Sequence, residues 1–218
     1  MAIPKNRDIY SATIKMFGSQ PEPPFETPER LLADWGEVWG CDNDVGQIGK
    51  VLMHRPGDEF NIINPNKRIA EIGSYGDLEE GWYWQSDTIP SLAEMQVQHD
   101  ALADTLRAEG VEVIYLEDIK ENQFKSVYTR DSSFATKGGA IVSRMAPRMR
   151  QGEEQTVTRT LANLGMPILR TITGGGMIEG GSFCWLNSTT AAVGRGIRVN
   201  DDAIEQLAEV LNRQGVDL

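Results

Sequence analysis

Cysteine and histidine are scarce in this chain: Cys41, Cys184, His54 and His99 are all it has in 218 residues. Two cysteines make no disulfide framework, and neither stands at metal-ligand spacing, so no metal site is expected. Long apolar runs are missing as well. Nothing approaches a membrane span, and Met1 to Gln20 holds no apolar stretch of signal-peptide length. Basic residues are in deficit, 21 against 32 acidic, for a net charge of −11. Such a surface offers no counter-charge to nucleic acid or to an anionic membrane, yet it permits a cationic substrate. A cytoplasmic, reduced protein is expected. With 40% apolar residues it can bury one large core.

What the chain does have is a repeat. Three helical segments each end at a glycine followed by a short apolar strand: Gly110-Val-Glu-Val-Ile-Tyr-Leu116, Gly165-Met-Pro-Ile-Leu169 and Gly215-Val-Asp-Leu218. The glycines are 55 and 50 residues apart. Ser133-Phe134 matches Ser182-Phe183, and Ala140-Ile-Val-Ser-Arg144 matches Ala191-Ala-Val-Gly-Arg195. A period near 50 indicates an array of like units, each covering its neighbour's apolar face. The third unit stops a few residues into its last strand, so the polypeptide is expected to be incomplete, with an uncovered sheet edge inviting self-association or a partner.

Each unit reads strand, strand, helix, strand, an α/β arrangement with helices on one side of small sheets. Residues 1–45 form an irregular, proline-bearing arm with one short helix over Pro28–Val38, and 46–218 form the main domain. Ile48 to His54 is the first strand, stopped at Pro56-Gly57. Residues 58 to 90 read as a long polar and aromatic loop, either a functional lid or a contact surface. Ser91 and Glu94 form a capping box for a helix to about Glu109, with Leu92, Met95, Leu102 and Leu106 on one side. The second helix starts near Gly152 with Val157, Leu161 and Leu164 inward. The third follows Asn200-Asp201 with Ile204, Leu207 and Leu211 inward.

Equivalent loops of the second and third units carry the unusual residues: Tyr128-Thr-Arg-Asp131-Ser-Ser-Phe134 and Thr173-Gly-Gly-Gly-Met-Ile-Glu179-Gly-Gly-Ser-Phe183. In each, a carboxylate precedes an apolar strand at the same end of neighbouring sheets. Two converging carboxylates suit a planar cation such as a guanidinium, held by bidentate hydrogen bonds. Glycines beside Glu179 permit close backbone approach. The alternative is that Asp131 caps a turn and the glycines only bend the chain. Phosphate binding is disfavoured, because no Gly-Lys-Ser/Thr follows the glycines.

Thr129-Arg130-Asp131, Met145-Ala-Pro-Arg148-Met-Arg150-Gln-Gly-Glu153, Glu179-Gly180-Gly181 and Gly194-Arg-Gly-Ile-Arg198-Val-Asn200 stand in an order and spacing that resemble the guanidino-group-modifying superfamily. That superfamily comprises arginine deiminase, dimethylarginine dimethylaminohydrolase and the amidinotransferases. The resemblance covers roughly residues 46 to 218. It implies a pentein fold, a five-bladed ββαβ propeller of which about three modules are present here. It also implies a cysteine nucleophile that attacks the guanidinium carbon to form a covalent amidino-enzyme, a histidine acid–base, and no organic or metal cofactor. Glu179 would be the catalytic carboxylate that bonds the guanidino nitrogens and supports the histidine, and Asp131 would grip the guanidinium. Arg150 (rather than Arg148) and Arg198 would hold the substrate's carboxylate.

The same resemblance places the histidine and the cysteine beyond Leu218, supplied by a missing segment or by a second polypeptide. His54 and His99 read as structural, Cys184 as buried by strand alternation, and Cys41 as part of the arm. Ser182 stands where the family often has Asp, and Lys125 where deiminases have an Asn that helps bind the amino-acid end. The expected function is a guanidino or amidino C–N hydrolase acting on a small guanidino substrate, in an oligomeric enzyme. An amidinotransferase and a non-catalytic pentein-fold binding protein are the alternatives. Asp131, Glu179, Arg150 and Arg198 together weigh against the last, since a scaffold needs none of them.

Overall fold

Helix exits set the repeat in place. The computed structural model describes residues 11, 13–16, 18–19 and 27–218; part of the proposed arm, with Pro4, Pro21, Pro23 and Pro24, lies outside the described residues. Helices α2 (Leu92–Ala108), α4 (Glu153–Asn163) and α5 (Asp201–Arg213) are each followed by a left-handed glycine, Gly110, Gly165 and Gly215, at φ 83°, 76° and 69°. After each glycine the next amide donates back to a leucine carbonyl five residues earlier. The pairs are Val111 to Leu106, Met166 to Leu161 and Val216 to Leu211, each 3.0 Å. This glycine-dependent exit reverses the chain into the following strand, and its recurrence is the structural counterpart of the sequence period.

The second unit is a full ββαβ module. Strands β6 (Ser133–Thr136) and β7 (Gly139–Val142) pair antiparallel, α4 crosses over, and β8 (Ile168–Thr171) returns parallel to β7. In the third, β9 (Phe183–Asn187) and β10 (Thr190–Val193) pair antiparallel, and after α5 the chain comes back parallel to β10. There Ala191 donates to the Asp217 carbonyl (2.8 Å) and Asp217 to that of Thr189 (2.9 Å). In the first unit β1 (Lys50–Met53) pairs parallel with β5 (Glu112–Tyr115). The mixed α/β architecture is that of the pentein fold.

Two apolar clusters lie under the crossover helices. Val157 and Leu161 of α4 meet Ala140, Val142 and Leu116, while Ala203, Leu207 and Leu211 of α5 meet Phe134, Ile141, Phe183 and Trp185. The capping box at Ser91–Glu94 is present, and Asn200 caps α5 through the Ala203 amide. Among the described residues no helix is long and apolar enough to cross a membrane.

Three expectations need correcting. Residues 58–90 are not an irregular loop: they carry 3-10 turns and a three-stranded antiparallel sheet, β2 (Arg68–Ile69), β3 (Ser74–Asp77) and β4 (Trp82–Gln85). Its strands have two to four residues, too short for a periodic signature, and it is fixed by a Trp82, Phe60 and Phe124 cluster packed edge to face. Leu102 is not on the buried side of α2. The helix instead presents Ala103, fully buried, and Leu102 lies about 100° away around the axis and faces out. Cys184 is exposed, because Phe183 and Trp185 take the inward positions of β9 and alternation sends the residue between them outward. Gly40 bridges to Lys137, and Asp44 accepts from the Trp185 amide at 2.7 Å, fastening residues 40–44 to the second and third units. Helix α1 (Pro28–Trp35) is capped by Thr27.

Candidate functional site

Short helix α3 (Thr129–Ser132) is held by three different neighbours. Thr129 Oγ1 donates to the Leu52 carbonyl of β1 (2.7 Å), and Arg130 donates to the Phe183 carbonyl of β9 (2.9 Å). That leaves Asp131, whose Oδ2 accepts from Arg150 at 2.7 Å. The segment Glu179–Gly181 runs directly against α3. A Cβ on Gly180 would collide with the Arg130 carbonyl, and one on Gly181 would lie 2.6 Å from Asp131 Oδ1. Glycine is required at both positions to let the two carboxylate-bearing segments touch.

Arg150 is almost completely buried. Its fork donates to both oxygens of Glu153 (2.9 and 2.7 Å), to Asp131 and, at 3.3 Å, to the Lys125 carbonyl. Burial opposes its charge, but the bonds from Glu153 and Asp131 outweigh that and raise its pKa further. Arg150 and Glu153 sit three residues apart across the start of α4, so a short 3-10 turn and the first helical residue suffice to bring them together. Arg198 is a different kind of arginine. It donates to Glu179 Oε2 at 3.0 Å while almost half its side chain faces solvent. Glu179 itself is buried, and its Oε1 has no hydrogen-bond partner among the described residues. Asn200 supports this segment by accepting from the Met177 amide at 2.9 Å.

All four residues singled out in the sequence therefore converge, as two acid–arginine pairs on adjoining segments. Arg150, expected to hold a substrate's carboxylate, already holds two carboxylates of the protein. Glu153 was missed as a partner although it stands in the same motif, where Arg-x-x-Glu across a helix start is the available signal. The hairpin of β3 and β4 was missed too. It reaches over the site, with Arg148 donating to the Glu79 carbonyl and Tyr83 and Trp84 facing Lys125.

Both histidines and Cys41 are engaged elsewhere, and Cys184 faces out from β9. Buried His54 bonds Glu59 at 2.7 Å, His99 packs against Tyr115, and the Cys41 thiol contacts the Ala135 carbonyl at 3.6 Å. No bond joins any of them to Asp131 or Glu179 among the described residues, and no cluster of metal-ligating side chains occurs there.

Comparison with known proteins fits this geometry. The profile described as "N,N dimethylarginine dimethylhydrolase, eukaryotic" matches residues 84–217, more than half of the chain. The chain belongs to that family. It is also similar to two arginine deiminases. That of Treponema denticola is 42% identical over 82 residues, 38% of this chain and 17% of that protein. That of Rhodococcus opacus is 36% identical over 80 residues, 37% of this chain and 16% of that protein. Among solved structures, dimethylarginine dimethylaminohydrolase from Pseudomonas aeruginosa, a mutant complexed with citrulline, superposes with a TM-score of 0.61 at 19% identity. The match covers 79% of this chain and 60% of that one. The amidinotransferase SxtG from Microseira wollei gives 0.57 at 13%, covering 81% and 60%. The chain thus spans about three-fifths of the solved dimethylarginine dimethylaminohydrolase and amidinotransferase folds.

Proposed function

We propose that this chain carries the substrate-gripping half of an enzyme that hydrolyses a guanidino or amidino C–N bond. The observation that carries the reading is the juxtaposition of Asp131 and Glu179, each tied to an arginine through one oxygen and each with the other oxygen unbonded. In this reading the free oxygens, Asp131 Oδ1 and Glu179 Oε1, accept from the N–H edges of a planar cation. The arginines orient the carboxylates: Arg150 positions Asp131, and Arg198 positions Glu179 while keeping further donors for the substrate's anionic end.

A guanidinium is a poor electrophile because its charge is delocalised. Fixing it in plane between carboxylates aligns its carbon for attack by a thiolate. The nucleophile and the acid–base histidine come, in this proposal, from outside the 218 residues. The thiolate adds to the guanidinium carbon to form a C–S bond, the C–N bond breaks as the amine leaves with a proton from the histidine, and water, giving its proton back to the histidine, then displaces the sulfur as thiolate. Family membership and the local identity to arginine deiminases favour water over an amine as the final acceptor. The exposed face of β9, with Cys184 and Leu186, is where the rest of a propeller or a second polypeptide would pack.

Calorimetric titration of the protein with butylguanidine and butylamine tests the grip. Both ligands carry one positive charge, but only the first presents a flat fork. Butylguanidine should bind about tenfold tighter or more, and Asp131→Asn should remove most of that margin. Equal affinity for the two would mean that Asp131 and Glu179 serve the fold alone.

A further inference from the structure

Lys125 sits in the 3-10 turn Phe124–Val127 at the edge of this site, half-buried. Its Nζ lies 5.2 Å from the ring centre of Phe124, 5.3 Å from Tyr83, and 6.0 Å from each of Trp84 and Tyr128. Among the described residues no carboxylate pairs with it, although Asp131, Arg150, Glu153, Glu179 and Arg198 each have a partner of opposite sign. Burial first, then the charges of Arg150 and Arg198, pull its pKa below the ordinary lysine value. Glu153 pulls the other way, but both of its oxygens already belong to Arg150. A cation kept among rings and beside two arginines lacks a counter-ion.

We propose that Lys125 receives the anionic group at the substrate end remote from the guanidinium, together with the unengaged edge of Arg198, and that the substrate is an ω-guanidino acid without an α-ammonium group. This rests on the guanidinium grip proposed above. An α-amino acid would bring a second cation to a spot flanked by Lys125, Arg150 and Arg198. No carboxylate is left to receive it: Glu153 is fully bonded, and the two free oxygens of Asp131 and Glu179 are taken by the guanidinium. Lysine is a point charge without a planar fork, so a carboxylate or a sulfonate would serve equally as the anion. The rings of Tyr83 and Tyr128, both partly exposed, flank the ammonium and leave it a path to solvent.

The test is calorimetric titration of the 218-residue protein with 4-guanidinobutyrate, butylguanidine and L-arginine. The acid should bind about tenfold tighter than butylguanidine, as a hydrogen bond to a charged group implies, and L-arginine no tighter than butylguanidine. Lys125→Met should bring the first ratio close to one, and Lys125→Arg should keep most of it. Should the methionine variant not fold, the unaltered protein decides through pH. Lysine is charged below its pKa, so the preference for the acid should be full near neutral pH, where the ligand's carboxylate is ionised, and fall as pH rises through a value below 10.5. A preference that survives Lys125→Met, a pH-independent preference, or tighter binding of L-arginine than of 4-guanidinobutyrate would overturn the proposal while leaving the guanidinium grip intact. No binding of any of the three would overturn both.

Discussion

The two acid–arginine pairs look alike in sequence and differ in kind. Arg150 is enclosed, with every nitrogen committed and two carboxylates around it, whereas Arg198 spends one nitrogen on Glu179 and keeps the rest toward solvent. A closed pair fixes geometry, because removing one member leaves a charge stranded in low dielectric. An open pair adjusts, because water replaces whichever partner leaves. The same residue type thus serves as a strut under Asp131 and as an adaptable contact beside Glu179, and burial makes the difference.

The sharpest way to break this comparison is Arg150→Met. Glu153 would keep its burial and lose its counter-charge, and the variant should lose about 3–5 kcal/mol in denaturant unfolding. A loss below about 1 kcal/mol would show that Arg150 is no strut. Glu179→Gln comes next. The amide keeps the shape but removes the charge that faces both Arg198 and the proposed guanidinium. Butylguanidine affinity should fall by about 1.5–3 kcal/mol with a smaller change in unfolding. If stability drops more than affinity, the pair at Glu179 is structural like its neighbour. The smallest effect is expected for Arg198→Ala, whose half-exposed pair should cost at most about 1 kcal/mol in stability. Its affinity for 4-guanidinobutyrate should fall more than that for butylguanidine, and equal losses would confine Arg198 to orienting Glu179.

Much of the scaffold was legible because it rests on local rules. The recurring glycines, the Ser91–Glu94 box and the Asn200 cap each fix backbone within a few residues, and all three stand where the sequence places them. The convergence of Asp131, Glu179, Arg150 and Arg198 was legible through motif order. Who pairs with whom was not, since partner choice depends on burial: Arg150 took both oxygens of Glu153, a neighbour in its own turn, besides the distant Asp131. The ring cage of Lys125 was hidden for another reason. Tyr83 and Trp84 lie some forty residues away on strands too short to announce themselves, and only the paired register of β3 with β4 carries them to the site. Leu102 and Cys184 failed on phase, where one position turns the facing by about 100° along a helix and reverses it along a strand.

The hairpin of β3 and β4 is inserted between two strands, β1 and β5, that pair with one another and not with it. A graft at that point leaves the host ladder unbroken, so its length and ring content are free to vary while Asp131 and Glu179 stay in place. Relatives that differ only between residues 58 and 90 should therefore exchange this segment as a cassette, carrying substrate preference with it and leaving the chemistry behind.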